Sequence, residues 1–277
     1  MTARQHPRPS TVLVKACLNG TRTRAEHEAV PLSARDLAIE SERAVAAGAG
    51  ALHVHPRTPD GSESLDPGVC GAAISAIRAV CPGVPVGLST GVWIESTPDR
   101  RLSCITRWTI LPDFVSVNVS EPGTQDLCEY LLVRGIGIEA GVWSAADAET
   151  FVKSGLAGRC LRVLIEPTDP LPNDALSTAA AVNAVLDRHG ITLPRLLHGI
   201  EQAAWAVLET ALRQGYDIRI GFEDTLDLPD GKRAQSNADL IAAAVHLALR
   251  HGYRPRSTPS KFSGTLPADV RPVPPGL

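Results

Sequence analysis

His53 and His55 stand two residues apart in ALHVHPRTPDG, residues 51–61, at the end of an apolar run and just before a turn. A β-strand sends alternate side chains to the same face, so both imidazoles point one way, a spacing that suits one metal ion. An open metal site needs a third ligand, and IRIGFEDTL, residues 218–226, offers one. Period-two alternation there puts Arg219, Gly221 and Glu223 on one face, with Gly221 leaving room between the two charges. Two imidazoles and one carboxylate, with a position open to water or substrate, are the ligand set of a catalytic zinc site, and Fe(II) takes the same ligand types. Plainer readings of these residues stay open. The histidines can be two hydrogen-bonded side chains, Arg219 can pair with Glu223, and Ser89 and Thr90 can cap the helix that follows them.

These residues must be held by rigid elements, and the chain repeats one alternation throughout. Runs rich in β-branched residues read as eight strands: TVLVKACL from Thr11, ALHVH from Ala51, VPVGLS from Val84, FVSVNVS from Phe114, GIGIEAGVW from Gly135, CLRVLIE from Cys160, RLLHGI from Arg195 and DIRIGFE from Asp217. Amphipathic segments between them open on helix starts such as Ser33, Asp66-Pro67 and Ser144, and Gly48, Gly155, Gly190 and Gly215 fall where helix C-caps belong. Eight strand–helix units with continuously apolar strands predict an α/β fold, a (β/α)8 TIM barrel, as one domain over residues 1–277 with a proline-rich tail from about Arg254. The glycine after the first strand, Gly20 alone in LNGTRTR, makes no dinucleotide-binding GxGxxG.

In such a barrel the functional groups collect at the C-terminal ends of the strands. Reading those ends in order gives Asn19 with Arg22, Arg24 and His27 in the following loop, then His53, His55 and Arg57, then Ser89 and Thr90, then Ser116, Asn118 and Ser120. Glu139 and Trp143, Glu166, His198, and finally Arg219, Glu223 and Asp224 complete the circuit. His198 reads as a satisfied polar residue near the barrel mouth, and Arg22, Arg24 and His27 can also be a solvated loop.

With 277 residues, 44% of them hydrophobic, the chain can bury a substantial core, and a net charge of −3 gives no field for nucleic acid. Six dispersed cysteines without a CxxC pair read as reduced and mostly buried, with Cys17 the one candidate for a pocket wall. The opening MTARQHPRPS lacks a signal-peptide core, and no run approaches the length of a membrane span, so a cytoplasmic enzyme with no membrane partner is expected.

NGTRTRAEH, AGAGALHVHPR, VGLSTG, DFVSVNVSEPG and IRIGFEDTL, in this order, resemble the β-keto acid cleavage enzyme family from about Thr11 to about His251. The resemblance implies a zinc-dependent barrel, usually a homotetramer, that converts a β-keto acid and acetyl-CoA into acetoacetate and a new acyl-CoA. It implies zinc ligands at His53, His55 and Glu223, a catalytic Asp224, and a substrate-carboxylate arginine at Arg219. Ser89, with Thr90 beside it, and Ser116 with Asn118 correspond to the family's polar groups after strands three and four. The aminohexanoate-cleaving member has an acidic residue where Arg22 stands and a second glutamate where Gly141 stands, with Glu139 retained. An arginine at 22 favours a neutral or anionic substrate tail over an ammonium. Two other classes compete with this expectation. An amidohydrolase-like metal-dependent hydrolase also carries an HxH, but it adds histidines from strands five and six, where this chain has Glu139 and Glu166. A non-catalytic barrel with a structural zinc would need a fourth protein ligand.

Overall fold

The computed structural model describes residues 11–256, so the proline-rich tail expected from about Arg254 lies outside the described residues beyond Arg256. Eight parallel strands close into a barrel: β1 Val14–Cys17, β2 Ala51–Val54, β3 Val86–Ser89, β4 Phe114–Asn118, β5 Gly137–Val142, β6 Arg162–Ile165, β7 Arg195–Leu197 and β8 Asp217–Ile220. Each pairs with its sequence neighbours, and β8 returns to β1 through Val14↔Ile218 and Lys15↔Arg219. The helices α1 Ala34–Ala46, α2 Pro67–Val80, α3 Pro98–Thr106, α4 Thr124–Val133, α5 Ala145–Ser154, α6 Pro172–Arg188, α7 Ala204–Gln214 and α8 Asn237–Arg250 follow the strands in turn. This is a (β/α)8 TIM barrel, as the alternation predicts. Thr11–Val12 pair with Arg254–Pro255 in a separate two-stranded strip that brings the described ends together.

The helix boundaries follow local chemistry. Ser33 closes a capping box with Asp36, Asp66 accepts from the Gly68 and Val69 amides ahead of Pro67, and Ser144 accepts from Asp147 N. Gly155 and Gly215 end α5 and α7 at φ of 71° and 78°, left-handed conformations that a Cβ disfavours.

The main core lies between barrel and helices, from Val14, Leu52 and Val86 on the strands to Leu37, Ile74 and Leu208 on the helices. A second, small cluster of Leu13, Ala51, Phe114, Leu164 and Leu196 fills the lower barrel interior, with the Phe114 ring lying over Gly87 where any Cβ would collide. The interior also holds charges. Lys15 on β1 pairs with Glu139 on β5, Arg162 Nε approaches Glu139 at 3.2 Å, and Arg162 Nη1 reaches Asp217 at 3.3 Å. Asp217 also accepts from Leu13 N at 2.9 Å and from Arg256 at 2.6 Å. Among the described residues no helix is long and apolar enough to cross a membrane.

Candidate active site and metal centre

β2 and the turn after β8 deliver the two halves of the site. His53 closes the register with Cys17 on β1, and His55 follows two residues later on the same face. Gly221 permits the approach of β8 to β1, since a Cβ there would lie 2.0 Å from the Cys17 carbonyl oxygen. The Glu223 amide then donates to that same carbonyl at 3.2 Å, which fixes the carboxylate over the histidines. The Nε2 atoms of His53 and His55 are 3.2 Å apart and lie 3.7 and 3.6 Å from Glu223 Oε2. Metal–ligand bonds of zinc type give tetrahedral edges of about 3.3 Å, so this triangle matches one face of such a site. Glu223 Oε2 is buried and has no hydrogen-bond partner, an arrangement that costs energy unless a cation completes it. Among the described residues these three form the one His/Cys/Asp/Glu group close enough to hold a metal ion.

The charges around the triangle are mutually adjusted. Burial drives the His53 imidazole well below its ordinary range. For His55 burial acts in the same direction, but the carboxylates of Glu223 and Glu63 outweigh it and lift the ring to about 9. Glu223 resists its own burial because Arg219, His53 and His55 surround it, and its carboxyl stays well below the usual range. Burial pushes the Cys17 thiol far up, so it supplies no thiolate, and it does not line the cavity.

Beside the triangle a second cluster organises Asp224. Arg219 donates from Nε at 3.1 Å and from Nη2 at 2.7 Å to Asp224 Oδ1, and Nη2 also reaches Glu223 Oε1 at 2.6 Å. His198 bridges two carboxylates, with Nδ1 3.1 Å from Asp224 Oδ1 and Nε2 2.9 Å from Glu166 Oε2. Burial and Arg219 oppose a charge on His198, yet Asp224 and Glu166 raise its pKa above the ordinary value. With Oδ1 engaged by Arg219 and facing His198, the buried Asp224 Oδ2 remains without a partner.

A cavity of about 290 Å³ opens onto both clusters. His53, His55, Ser89, Ser116, Asn118, Arg219, Glu223 and Asp224 all line it, so the strand ends converge as the barrel rule expects. Three expected residues sit elsewhere. Thr90 turns its hydroxyl to the Ser116 carbonyl at 2.7 Å, and its own carbonyl accepts from Arg101. Arg22 lies outside the lining, spent on Glu26 at 2.9 Å, Glu201 and the Phe222 carbonyl. Glu139, expected at the substrate, is fully buried in the barrel interior between Lys15 and Arg162, because its position on β5 lies two residues below Gly141 and well short of the strand end. Arg219, expected to anchor a carboxylate by two points, has Nε and Nη2 committed and only Nη1 less engaged, 3.5 Å from Glu166. Sequence reasoning missed Glu63, whose Oε1 lies 3.1 Å from His55 Nδ1, and Trp93, which lines the cavity from the loop after β3. A larger groove of about 1130 Å³ beside α7 and α8, lined by Trp205, Asp227 and Arg250, holds none of the expected residues.

The description "beta-keto acid cleavage enzyme" matches residues 11–154 and 171–261, most of the chain and every residue of both clusters except Glu166. The chain belongs to the β-keto acid cleavage enzyme family. Its relatives include the 3-keto-5-aminohexanoate cleavage enzymes of Fusobacterium nucleatum, 26% identical over 90% of this chain and 95% of theirs, and of Acetoanaerobium sticklandii, 23% identical over 90% and 96%. Among solved structures, ObcA in its apo form aligns at a TM-score of 0.62 with 18% identity, and ObcA in a ternary complex with a C4-CoA adduct and oxalate at 0.65 with 16%. This chain covers 63% and 65% of those ObcA chains and is itself covered at 82%. A 3-dehydroquinate dehydratase from Geobacillus kaustophilus shares the barrel at a TM-score of 0.56 and 11% identity.

Proposed function

We propose that this enzyme takes a β-keto acid and acetyl-CoA and gives acetoacetate and a new acyl-CoA, with one zinc ion held by His53, His55 and Glu223. The observation that carries this reading is that two adjacent residues lining one small cavity each keep a buried carboxylate oxygen without a hydrogen-bond partner, Glu223 Oε2 near two imidazoles and Asp224 Oδ2 beside it in the chain. The first fits a cation and the second fits a base. A bound divalent ion supplies Lewis-acid stabilisation of negative charge on the substrate's oxygens.

Asp224 takes, through Oδ2, a proton from the methylene between the keto and carboxylate carbons of the acid. The carbanion attacks the acetyl carbonyl of acetyl-CoA and the CoA thiolate leaves. That thiolate then attacks the acid's own keto carbon, which breaks the carbon–carbon bond and forms the new acyl-CoA. The departing acetoacetate carbanion recovers the proton from Asp224. Arg219 holds Oδ1 through two hydrogen bonds with His198 Nδ1 beside it at 3.1 Å, which leaves Oδ2 unpaired, and Arg219 Nη1 and Ser89 are groups left to meet the substrate's carboxylate.

The tail of the acid is read as uncharged. Arg22 would have favoured an anionic tail, but its guanidinium is neutralised by Glu26 and Glu201. The remaining walls include Trp93, Trp143, Thr168 and Ile200. A panel of β-keto acids with neutral, anionic and cationic tails, assayed with and without acetyl-CoA, tests the reading. Acetoacetate should form only with acetyl-CoA, fastest with neutral tails, vanish on chelation and return with zinc. Zinc-loaded enzyme that yields acetoacetate from none of them contradicts it and favours a metal-dependent hydrolase.

A further inference from the structure

The two imidazoles of the candidate metal centre are not held alike. His53 Nδ1 is buried without a hydrogen-bond partner, whereas His55 Nδ1 lies 3.1 Å from Glu63 Oε1. The other oxygen of Glu63 accepts the Trp93 indole N–H at 2.7 Å, and the His55 and Trp93 rings lie nearly parallel, 20° apart, with centroids separated by 6.5 Å. Trp93 rests against Gly91, where a Cβ would come within 2.3 Å of the ring, and it remains about half exposed as it lines the cavity. Three groups from two different loops therefore form one chain, imidazole to carboxylate to indole.

The loop that carries Glu63 is built to hold it still. Thr58 N donates to Ser62 O and Gly61 N to Thr58 O, both at 2.9 Å, with Gly61 at a φ of 89°. Ser64 N bonds Pro56 O, Arg57 Nη1 bonds Gly61 O at 2.7 Å, and Arg57 and Glu63 pair across the hairpin. With a metal at Nε2, a carboxylate fixed in this way would keep the remaining proton of His55 on Nδ1, and it limits rotation of the ring.

We propose that Glu63 is a positioning residue shared by the metal centre and the acyl pocket: one oxygen orients the metal ligand His55 and the other pins Trp93 as a wall against the substrate's tail. This rests on the metal-site reading above and adds a physical link between metal occupancy and pocket shape. Glu63→Gln keeps the size of the side chain and can still accept from Trp93, but it loses the charge and one of the two acceptor oxygens.

Zinc affinity, measured by competition with a chromogenic chelator, is expected to fall about 10–100-fold in Glu63→Gln, the usual cost of losing such an outer partner. In Trp93→Phe zinc affinity should stay within about twofold, while KM for a neutral-tailed β-keto acid rises several-fold and kcat changes less. Zinc added to the metal-free wild type should change tryptophan emission, and that change should be lost in Trp93→Phe and diminished in Glu63→Gln at saturating zinc, the second being a signature that a merely structural Glu63 would not produce. Unchanged zinc affinity in folded Glu63→Gln overturns the proposal. Should that variant not fold, a zinc-dependent emission change that persists undiminished in Trp93→Phe overturns it instead. The primary readout is zinc binding and not turnover, so failure here leaves the cleavage reading standing, whereas a failed cleavage assay removes the acyl-pocket half and leaves the zinc-affinity and emission readouts to decide the role of Glu63 at the metal centre.

Discussion

Asp224 is the residue whose surroundings say most about its task. A buried carboxylate normally uses both oxygens, yet here Arg219 and His198 converge on Oδ1 and leave Oδ2 buried without a partner. Asp224→Asn keeps the shape and removes the base, so kcat for acetoacetate formation should drop about 10²–10⁴-fold with zinc content unchanged by elemental analysis. His198 gives a pH-dependent counterpart. Its pKa is raised in the fold, so the stability it lends through Asp224 and Glu166 is fully present below about 6.5 and is lost as the pH rises through the raised value. The Tm deficit of His198→Asn should therefore be larger near pH 6 than near pH 9, and a deficit that grows with pH contradicts the assignment. The His53–His55 pair was legible because strand alternation fixes their common facing, whereas Glu223 lies in the turn after β8, where its amide bond to the Cys17 carbonyl, and not alternation, sets its position. The Asp224–His198–Glu166 chain was not legible, since three strands must close into a barrel before those side chains meet.

At the level of elements, single glycines decide whether strands can come together at the site. Gly221 faces the Cys17 backbone at a distance no Cβ tolerates, and the same turn bears Glu223 and Asp224. Gly221→Ala should cost about 3 kcal/mol or more, a Tm loss of roughly 6–12 °C seen by calorimetry, and should weaken zinc binding by displacing Glu223. A stable variant with native zinc affinity contradicts this placement. All eight strands were legible as β-branched runs, and the caps at Ser33, Asp66 and Ser144 were legible from residue type. The strands proved shorter than their apolar runs, as in β5, which takes only Gly137–Val142 of GIGIEAGVW. Glu139 sits in the barrel interior because it lies three residues before the strand's end at Val142, facing Lys15 and Arg162. Glu63 and Trp93 escaped notice because loop residues carry no periodicity, and their meeting depends on where two loops cross.

For the whole molecule, the barrel is closed by hydrophobic packing below and by ionic contacts through its middle. Lys15, Glu139, Arg162 and Asp217 link β1, β5, β6 and β8, and Arg256 joins the described C-terminal end to the same network. Removing one member strands its partner in a medium that solvates charge poorly. Lys15→Met should therefore destabilise the protein by about 3–5 kcal/mol in denaturant titrations, and a change near zero contradicts the importance of the network. The sequence carried a signal for it, lone charges inside the apolar runs TVLVKACL and CLRVLIE, whose partners only barrel closure reveals. The scaffold thus brings the His53, His55 and Glu223 triangle and the Asp224 carboxylate together at the mouth of a rigid cylinder, the placement on which the proposed acyl exchange depends.

The most direct test follows the carbon atoms. With zinc-loaded enzyme, a neutral-tailed β-keto acid and acetyl-CoA labelled with ¹³C at the acetyl carbonyl, NMR should find the label at the ketone carbon of acetoacetate, while the new acyl-CoA carries none. Acetoacetate without label, or labelled acetyl-CoA left untouched while the keto acid is consumed, contradicts acyl exchange at this site.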